Sequence, residues 1–415
     1  MSLLRTNRNF LLLFSGRVLT NVGDSVYVIA SMWFVHDLTG STALTGLAGF
    51  IIRGPKFFRA FVGPLVDRWP LKRTITGTEL VQACFVATLP LAYVQGLFSV
   101  WLLLGVTFVV NTVAQFGYPA HKKAIPRIVA DDDIVEGNSL ITSSTKGLNV
   151  VFNAASGVLV GVLGIAAIFA LDFLTFLLSF TAFSLISLSD SRPETSGDEE
   201  ATTYVDQLRR GFEYVVGSRL RTILLAAVVA NFTYGLMYAV LPQFADSFSG
   251  LVLGGVGMYG LLMAAMSAGT LIGTASVQFV DHLPFGRLVI VTYSTAAVTW
   301  GLGIVSGLPL VTLASFVVSF SAVGVNNVML LSVIQSTVED RMLSRVSAIT
   351  STASTSMLPV GSLLGGALAE FVGVTPILLL QSVGLMFIAV VFLVRPQIRS
   401  LPSADSISPD ELGLA

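Results

Sequence analysis

Long apolar segments alternate with short polar connections from Phe10 to Val394. Each segment has close to the roughly 20 residues that an α-helix needs to cross a bilayer. Lys and Arg occur inside the segments or on one alternating set of connections, and the six connections of the other set contain neither. Because basic loops resist translocation, this asymmetry is typical of a polytopic membrane protein. The pattern predicts twelve helices, at 10–34, 44–66, 74–96, 99–119, 138–162, 165–188, 221–245, 252–279, 288–307, 309–333, 345–370 and 373–395.

Composition agrees with this class, since the 415 residues are 54% hydrophobic and only 11% charged. A soluble domain carries about 25% charged residues. The basic residues are scattered over several short loops, which gives no support for nucleic-acid binding. A single cysteine, Cys84, excludes an internal disulfide and a multi-cysteine metal site. We expect no metal or cofactor, and we expect the first helix to be retained because no small-residue cleavage site follows it.

The longest polar stretch divides the helices into six and six. We predict an all-α protein with two pseudo-symmetric six-helix bundles, at residues 1–189 and 221–395. A cytoplasmic linker at 190–220 joins them, and 205–215 within it has the pattern of a short amphipathic helix. A cytoplasmic tail follows at 396–415. The distribution of Lys and Arg places both termini in the cytoplasm and the chain in the cell membrane.

The two halves repeat weakly but in register. ITSS at 141–144 recurs as ITST at 349–352, and the same offset carries Gly157 onto Gly365. The loop DRWPLKR at 67–73 is matched after the eighth segment by DHLPFGR at 281–287. Duplicated six-helix units are typical of secondary transporters, whose substrate path lies between the repeats.

These motifs resemble a known family. The segment GPLVDRWPLKR at 63–73 is similar to the signature loop between the second and third helices of the major facilitator superfamily. Further features resemble its drug:proton antiporter branch, which includes macrolide and enterobactin exporters. They are the pair GD at 23–24, YPA at 118–120 followed by AIP at 124–126, and LDFLTF at 171–176. The resemblance covers essentially the whole chain and implies two six-helix halves that alternate access to a central site.

The resemblance also implies a cytoplasmic gate. Asp67 would face the amino-terminal end of the eleventh helix, near Ser344, where free N–H groups favour an anion. Arg68, Lys72 and Arg73 would surround and position the carboxylate. The alternative is a basic turn that only fixes the topology.

Charged residues in the first two helices are candidates for coupling. Arg53 and Lys56 lie near the middle of the second segment, where a charge costs about 3 kcal/mol or more in lipid. Arg17, Asn21 and Asp24 share one face of the first helix and offer the cations a partner. In one interpretation Asp24 exchanges these cations for a proton during transport. In the other, it forms a static ion pair that holds the two helices together.

Polar side chains also share faces on other predicted helices. Such faces are costly in lipid, so we expect them to line a central cavity, although interhelical hydrogen bonding is an alternative. They comprise Asn111 and Gln115 in the fourth helix, Lys146, Asn149 and Asn153 in the fifth, and Asn231 and Tyr234 in the seventh. The second half offers no deep cation, and deep cations outnumber deep carboxylates overall. We therefore expect a preference for amphipathic anions.

Three further assignments concern titratable residues outside these faces. We place Glu79 near the membrane interface, all three histidines at helix ends, and Asp172 in a structural role against a neighbouring helix. No paired-histidine motif, nucleophile elbow or phosphate-binding glycine loop is present, so the chain is not expected to be an enzyme or to use ATP directly. We predict a monomeric secondary transporter that exports a small amphipathic molecule in exchange for protons. The alternative is a facilitator or importer of an organic anion without proton antiport.

Overall fold

The computed structural model describes residues 3–58, 62, 65, 66, 68–187, 213–250 and 254–413. Helices dominate this part of the chain, and it contains no β-strand. Ten helices among the described residues are long and apolar enough to cross a membrane. The expectation of an all-α polytopic membrane protein is therefore confirmed.

The long helices follow the predicted segments closely. They are α1 (Arg8–Thr39), α2 (Thr42–Arg53), α3 (Leu71–Val94), α4 (Val100–Ile128), α5 (Ile134–Ser184), α6 (Leu220–Asp246), α7 (Gly254–Val280), α8 (Phe285–Ser306), α9 (Pro309–Thr337), α10 (Asp340–Val372) and α11 (Val374–Val394). Short helices precede and follow them, at Leu3–Thr6, Pro396–Arg399 and Pro409–Leu412. Three-residue 3₁₀ turns occur at Asp131–Asp133 and Ala404–Ser406.

Local chemistry explains where the first two helices meet. Gly40 ends α1 in the left-handed region at φ 63°, which glycine adopts at little cost. Ser41 then caps α2, because its side-chain oxygen accepts a hydrogen bond from the backbone N–H of Leu44 at 3.2 Å. Two residues are thus enough to reverse the chain between two helices.

The fifth and sixth predicted helices form the single element α5, which is divided at Gly164. That residue has φ 73° and ψ 179°, a conformation that ends one helix and lets another begin. The sequence placed the boundary at this position. The two parts of α5 therefore correspond to two predicted membrane segments.

The second predicted segment is not one continuous helix. The α-helix ends at Arg53, and Gly54–Phe58 continue as a 3₁₀ turn. Pro55 explains the change, because proline has no backbone N–H to donate to the preceding turn. Arg53 and Lys56 consequently lie on different elements rather than on one helical face.

The fourth helix is longer than predicted. Its predicted end is at residue 119, whereas α4 continues through Pro119 and Pro126 to Ile128. Membrane helices tolerate proline better than soluble ones, because neighbouring groups satisfy the freed backbone carbonyls. His121 is therefore an interior residue of α4 and not a helix-end residue.

The chain divides into two compact units. Unit one comprises residues 1–196 with 245–264, and unit two comprises 197–244 with 265–415. In unit one, Phe10, Leu13 and Ala120 belong to a fully buried core. In unit two, a larger core includes Ala296, Val333 and Leu385.

The residues after α11 pack against unit two. The backbone N–H of Phe285 donates to Pro402 O at 2.9 Å, and that of Arg219 donates to Leu412 O at 2.8 Å. Leu412 and Ile398 are buried in the core of the unit. This segment, which was predicted only as a cytoplasmic tail, supplies apolar core residues and backbone acceptors.

Glycines allow close approach of helices within each unit. A Cβ on Gly157 of α5 would lie 2.7 Å from Val256 O and 2.8 Å from Gly260 Cα of α7. In unit two, a Cβ on Gly361 of α10 would lie 2.2 Å from Phe232 O of α6.

The amphipathic helix predicted in the linker lies outside the described residues up to position 212. Residues 213–217 are helical, and Val215 is buried.

Candidate functional site

The first group of candidate residues lies in unit one around Asp24. Arg17 and Lys56 are the two cations that act electrostatically on the Asp24 carboxylate. Asp24 and Lys56 are exposed, while Arg17 is half-buried. The structure therefore brings together one carboxylate and two cations from the first two predicted helices, with accessible space beside them.

Two further predicted residues belong to the same region. Asn21 lies on α1 one turn before Asp24, and its Oδ1 atom is buried without a hydrogen-bond partner among the described residues. Arg53 is half-buried, with its Nη1 atom shielded from solvent. Polar groups inside a pair of membrane helices cost free energy. Residues of this kind usually serve binding or coupling.

Helix α5 reaches this group through Asn149. The Ser25 hydroxyl donates to Asn149 Oδ1 at 2.9 Å, so α5 is bonded to α1 directly next to Asp24. Asn153, one turn further along α5, is half-buried, whereas Lys146 is exposed. The three predicted residues of this helix thus differ in environment, although they share a face.

The two predicted residues of α4 bond to their own helix. The side-chain amide of Asn111 donates to Thr107 O at 2.9 Å, and that of Gln115 donates to Asn111 O at 2.8 Å. Asn111 is half-buried and Gln115 is buried. These contacts show how their polar groups are partly satisfied within the membrane.

Asn231 and Tyr234 line a cavity of about 280 Å³ inside unit two. The other polar residues around it are Thr270, Tyr293, Asn326, Asn327 and Gln381. Every side chain that lines this cavity is uncharged. Its walls are otherwise apolar and aromatic, which is the usual character of a site for a small organic molecule.

Two amide oxygens in this cavity lining have no hydrogen-bond partner among the described residues. They are Asn326 Oδ1 and Gln381 Oε1, and both are buried. The Asn326 amide nitrogen is oriented by donation to Thr292 Oγ1 at 2.9 Å and to Ala322 O at 2.8 Å. Both oxygens could accept hydrogen bonds from a bound molecule or from water.

The residues of the predicted gate are only partly described. Asp67 lies outside the described residues. Arg68 is exposed in a turn, while Lys72 and Arg73 lie in the first turn of α3, half-buried and exposed respectively. The gate interpretation therefore stays a prediction.

A buried polar network in unit one was missed by the sequence analysis. Glu79 of α3 is 2% exposed and His121 of α4 is 7% exposed. Because α4 continues to Ile128, the helix-end assignment of His121 was wrong. His121 Nε2 lies 3.7 Å from Glu79 Oε1. The Thr20 hydroxyl of α1 lies 3.1 Å from Glu79 Oε2 and 3.0 Å from Ser179 Oγ of α5, and its single proton is donated to one of these two oxygens at a time.

Two other titratable residues are buried in unit one. His36 lies in the last turn of α1, at the helix end as predicted, and it is buried, 3.5 Å from Asp246. Asp172 is buried against α1, where its Oδ1 would lie 2.4 Å from a Cβ on Gly23. This contact is in keeping with the predicted structural role of Asp172 against a neighbouring helix.

The count of deep charges changes as a result. Glu79 is a third carboxylate beside Asp24 and Asp172 in the interior of the unit-one helices, where the described cations include Arg17, Arg53 and Lys56. The predicted excess of deep cations was the basis for expecting an anionic substrate. The additional carboxylate reduces that excess, and the preference for an anion stays a prediction.

The helices, their apolar surfaces and these polar sites define a polytopic membrane transporter. The chain matches the model of the transmembrane secretion effector family over residues 3–413. It therefore belongs to this family, within the major facilitator superfamily.

Relatives and solved structures agree over nearly the full length. The chain is 21% identical to macrolide efflux protein A of Streptococcus pyogenes, covering 94% of this chain and 97% of the relative. It is 25% identical to the multidrug efflux pump Tap of Mycolicibacterium fortuitum, covering 96% and 98%. A bacterial homologue of the iron transporter ferroportin, in an inward-facing state, has the same fold with a TM-score of 0.71, 14% identity, and coverage of 93% and 98%.

Proposed function

We propose that this transporter exports a small amphipathic organic molecule across the cell membrane in exchange for protons. The chain would act as a monomer. The distribution of its basic residues predicts that both termini lie in the cytoplasm. The efflux proteins among its relatives support the direction of transport. The uncharged cavity of unit two supports a substrate with a substantial apolar part.

The observation that carries the proposal is the environment of Asp24. A carboxylate with two neighbouring cations, Arg17 and Lys56, is exposed at one edge of the group. When its surroundings change, such a carboxylate can leave its ion pair and bind a proton, because its negative charge is balanced in both states. We assign the coupling role to Asp24, with Lys56 and Arg53 as alternative partners.

Substrate contacts are assigned to uncharged groups. Asn231 and Tyr234 lie with Asn326 and Gln381 around the 280 Å³ cavity. Its volume is close to the roughly 300 Å³ at which sites for drug-sized ligands begin, so it can hold a small organic molecule or part of a larger one. Asn149 and Asn153 extend the polar surface in unit one. We also retain Asp67, Arg68, Lys72 and Arg73 as the cytoplasmic gate.

Asp24→Asn tests the coupling role. Inside-out vesicles containing the full chain would be given an imposed pH gradient, with ethidium or erythromycin as the transported probe. We expect the variant to lose gradient-driven transport at least tenfold while it retains probe binding and exchange without a gradient. The change from carboxylate to amide removes the proton site but keeps the shape of the side chain.

Asp37→Asn is the matched control. Asp37 is an exposed carboxylate on the same helix, so the chemical change is identical and the location differs. The control should transport like the unmodified protein. Gradient-driven transport that is equally fast in Asp24→Asn would remove Asp24 from the coupling role.

A further inference from the structure

The buried residues Glu79 and His121 have no role in the proposed coupling by Asp24. It is formed where α3 and α4 approach closely, since a Cβ on Gly117 would lie 3.2 Å from Thr78 Oγ1. Both side chains are more than nine-tenths buried. An ionisable residue inside a membrane bundle is costly and usually functional.

Charge balance favours one proton on this pair. With no proton, Glu79 would be a buried carboxylate whose described hydrogen bond comes from Thr20. With two protons, a buried imidazolium would lie within the electrostatic influence of Arg17. With a single proton, the pair is neutral overall, either as carboxylate and imidazolium or as carboxylic acid and imidazole, and the desolvation cost is smallest.

The imidazole is not fixed from both sides. Its Nδ1 atom is buried without a hydrogen-bond partner among the described residues. The separation of 3.7 Å between Nε2 and Oε1 is longer than an N–H···O hydrogen bond. A structural histidine is normally satisfied at both nitrogens, so this ring is better suited to gain and lose a proton than to hold two helices together.

The pair also has a route to solvent. His121 lines a pocket of about 230 Å³ together with Arg17, Tyr118 and Lys122. On its other side, Thr20 connects Glu79 to Ser179 through hydroxyl groups, and Ser179 donates to Gly16 O at 3.0 Å. The pocket therefore contacts one end of a continuous polar path.

We propose that Glu79 and His121 together bind one exchangeable proton, which they take from water in the pocket beside Arg17 and return to water. An O–H bond of hydronium breaks and an O–H bond on Glu79 forms beside the neutral imidazole of His121, with no change in oxidation state. This inference rests on the proposed proton coupling and adds a second proton site to it. The charged groups that face Glu79 are Arg17 and Asp24 from α1 and Asp172 from α5.

The test measures protonation directly and needs no substrate. The full chain in lipid nanodiscs would be examined by infrared difference spectroscopy between about pH 5 and 8, the range in which histidine changes charge. We expect the unmodified protein to show the carbonyl band of a newly protonated carboxylic acid. Glu79→Gln should lose this band. His121→Gln should move its midpoint by about one pH unit or more, equivalent to a tenfold change in proton affinity.

Two control variants separate proton binding from structural effects. Phe183→Leu changes a ring that packs on His121 at a centroid distance of 4.9 Å but carries no proton. It should lower the melting temperature and leave the band in place. Asp172→Asn removes another buried carboxylate and should keep the band that depends on Glu79.

The outcomes distinguish this inference from the proposed function. A band of equal size in Glu79→Gln, or its absence from the unmodified protein, would overturn the proton site. An unchanged midpoint in His121→Gln would overturn the shared proton. If the band behaves as expected but no probe is moved by a pH gradient, proton-coupled export is refuted while the proton site remains.

Discussion

Gly157 provides the sharpest test of how α5 packs in unit one. We predict that Gly157→Ala destabilises the protein although alanine is the best helix former. The added Cβ would lie 2.7 Å from Val256 O, 2.8 Å from Gly260 Cα and 3.0 Å from Gly260 N. Comfortable separations between such atoms are about 3.5 to 4.0 Å.

The size of the loss in stability depends on which atoms the added Cβ would contact. All three neighbours are backbone atoms of α7, so no side chain can rotate away and the helices must separate by several tenths of an ångström. Overpacking of this kind costs about 1 to 3 kcal/mol. Replacing glycine in a helix interior would by itself give back up to about 1 kcal/mol. The expected net effect is a loss of up to about 3 kcal/mol.

Gly147→Ala is the matched control. Gly147 lies on the same helix, and nothing lies within 4 Å of the position that its Cβ would take. It should be neutral or slightly stabilising, because only the helix propensity changes. The difference between the two variants therefore isolates the contact with α7.

Scanning fluorimetry in detergent measures the difference as a shift in melting temperature. A Cys84→Ser background with spin labels on α5 and α7 would report the separation of the helices by electron–electron resonance. We expect Gly157→Ala to melt earlier than Gly147→Ala and to broaden the distance distribution. Equal melting temperatures with unchanged distances would refute the packing that the structure describes.

Two further predictions concern stability. Leu412→Ala removes a fully buried side chain from the core of unit two and should cost about 2 to 5 kcal/mol; a melting temperature equal to that of the unmodified protein would contradict the packing of this segment. Tyr27→Phe removes the 2.8 Å hydrogen bond between Tyr27 Oη and Thr107 Oγ1, and should cost only about 0.6 kcal/mol, the average for membrane helices. A double-mutant cycle with Thr107→Val measures that bond, and a coupling energy well above about 1.7 kcal/mol would exceed the range found for such bonds.

The positions of the helices could be predicted from the sequence because lipid imposes a strict requirement on length and polarity. Even the division of α5 at Gly164 fell between two predicted segments. The end of α4 could not be predicted in the same way. Pro119 stops a helix in water, but inside a membrane unit the helix continues to Ile128.

The candidate site was harder to predict, since it depends on which helices are neighbours. The helical face of Arg17, Asn21 and Asp24 was visible in the sequence, and Lys56 lies near that face. The pairing of Glu79 with His121 joins α3 to α4 and depends on their relative rotation. The available signal was Glu79 itself, which is an acidic residue well inside an apolar helix and two turns after its beginning.

The residues that follow α11 have a consequence for biosynthesis. The Arg219 guanidinium donates a hydrogen bond to the backbone oxygen of Glu411, which lies 192 residues later in the chain. The backbone N–H of Phe285 donates to Pro402 O. The ribosome makes the partners of α6 and α8 only after all the long helices have been translated. Until then, the ends of these helices keep unsatisfied backbone groups and an uncovered apolar surface. Folding of unit two should therefore finish as a late step after membrane insertion, and premature stop codons ahead of Ile398 should yield inserted but unstable protein.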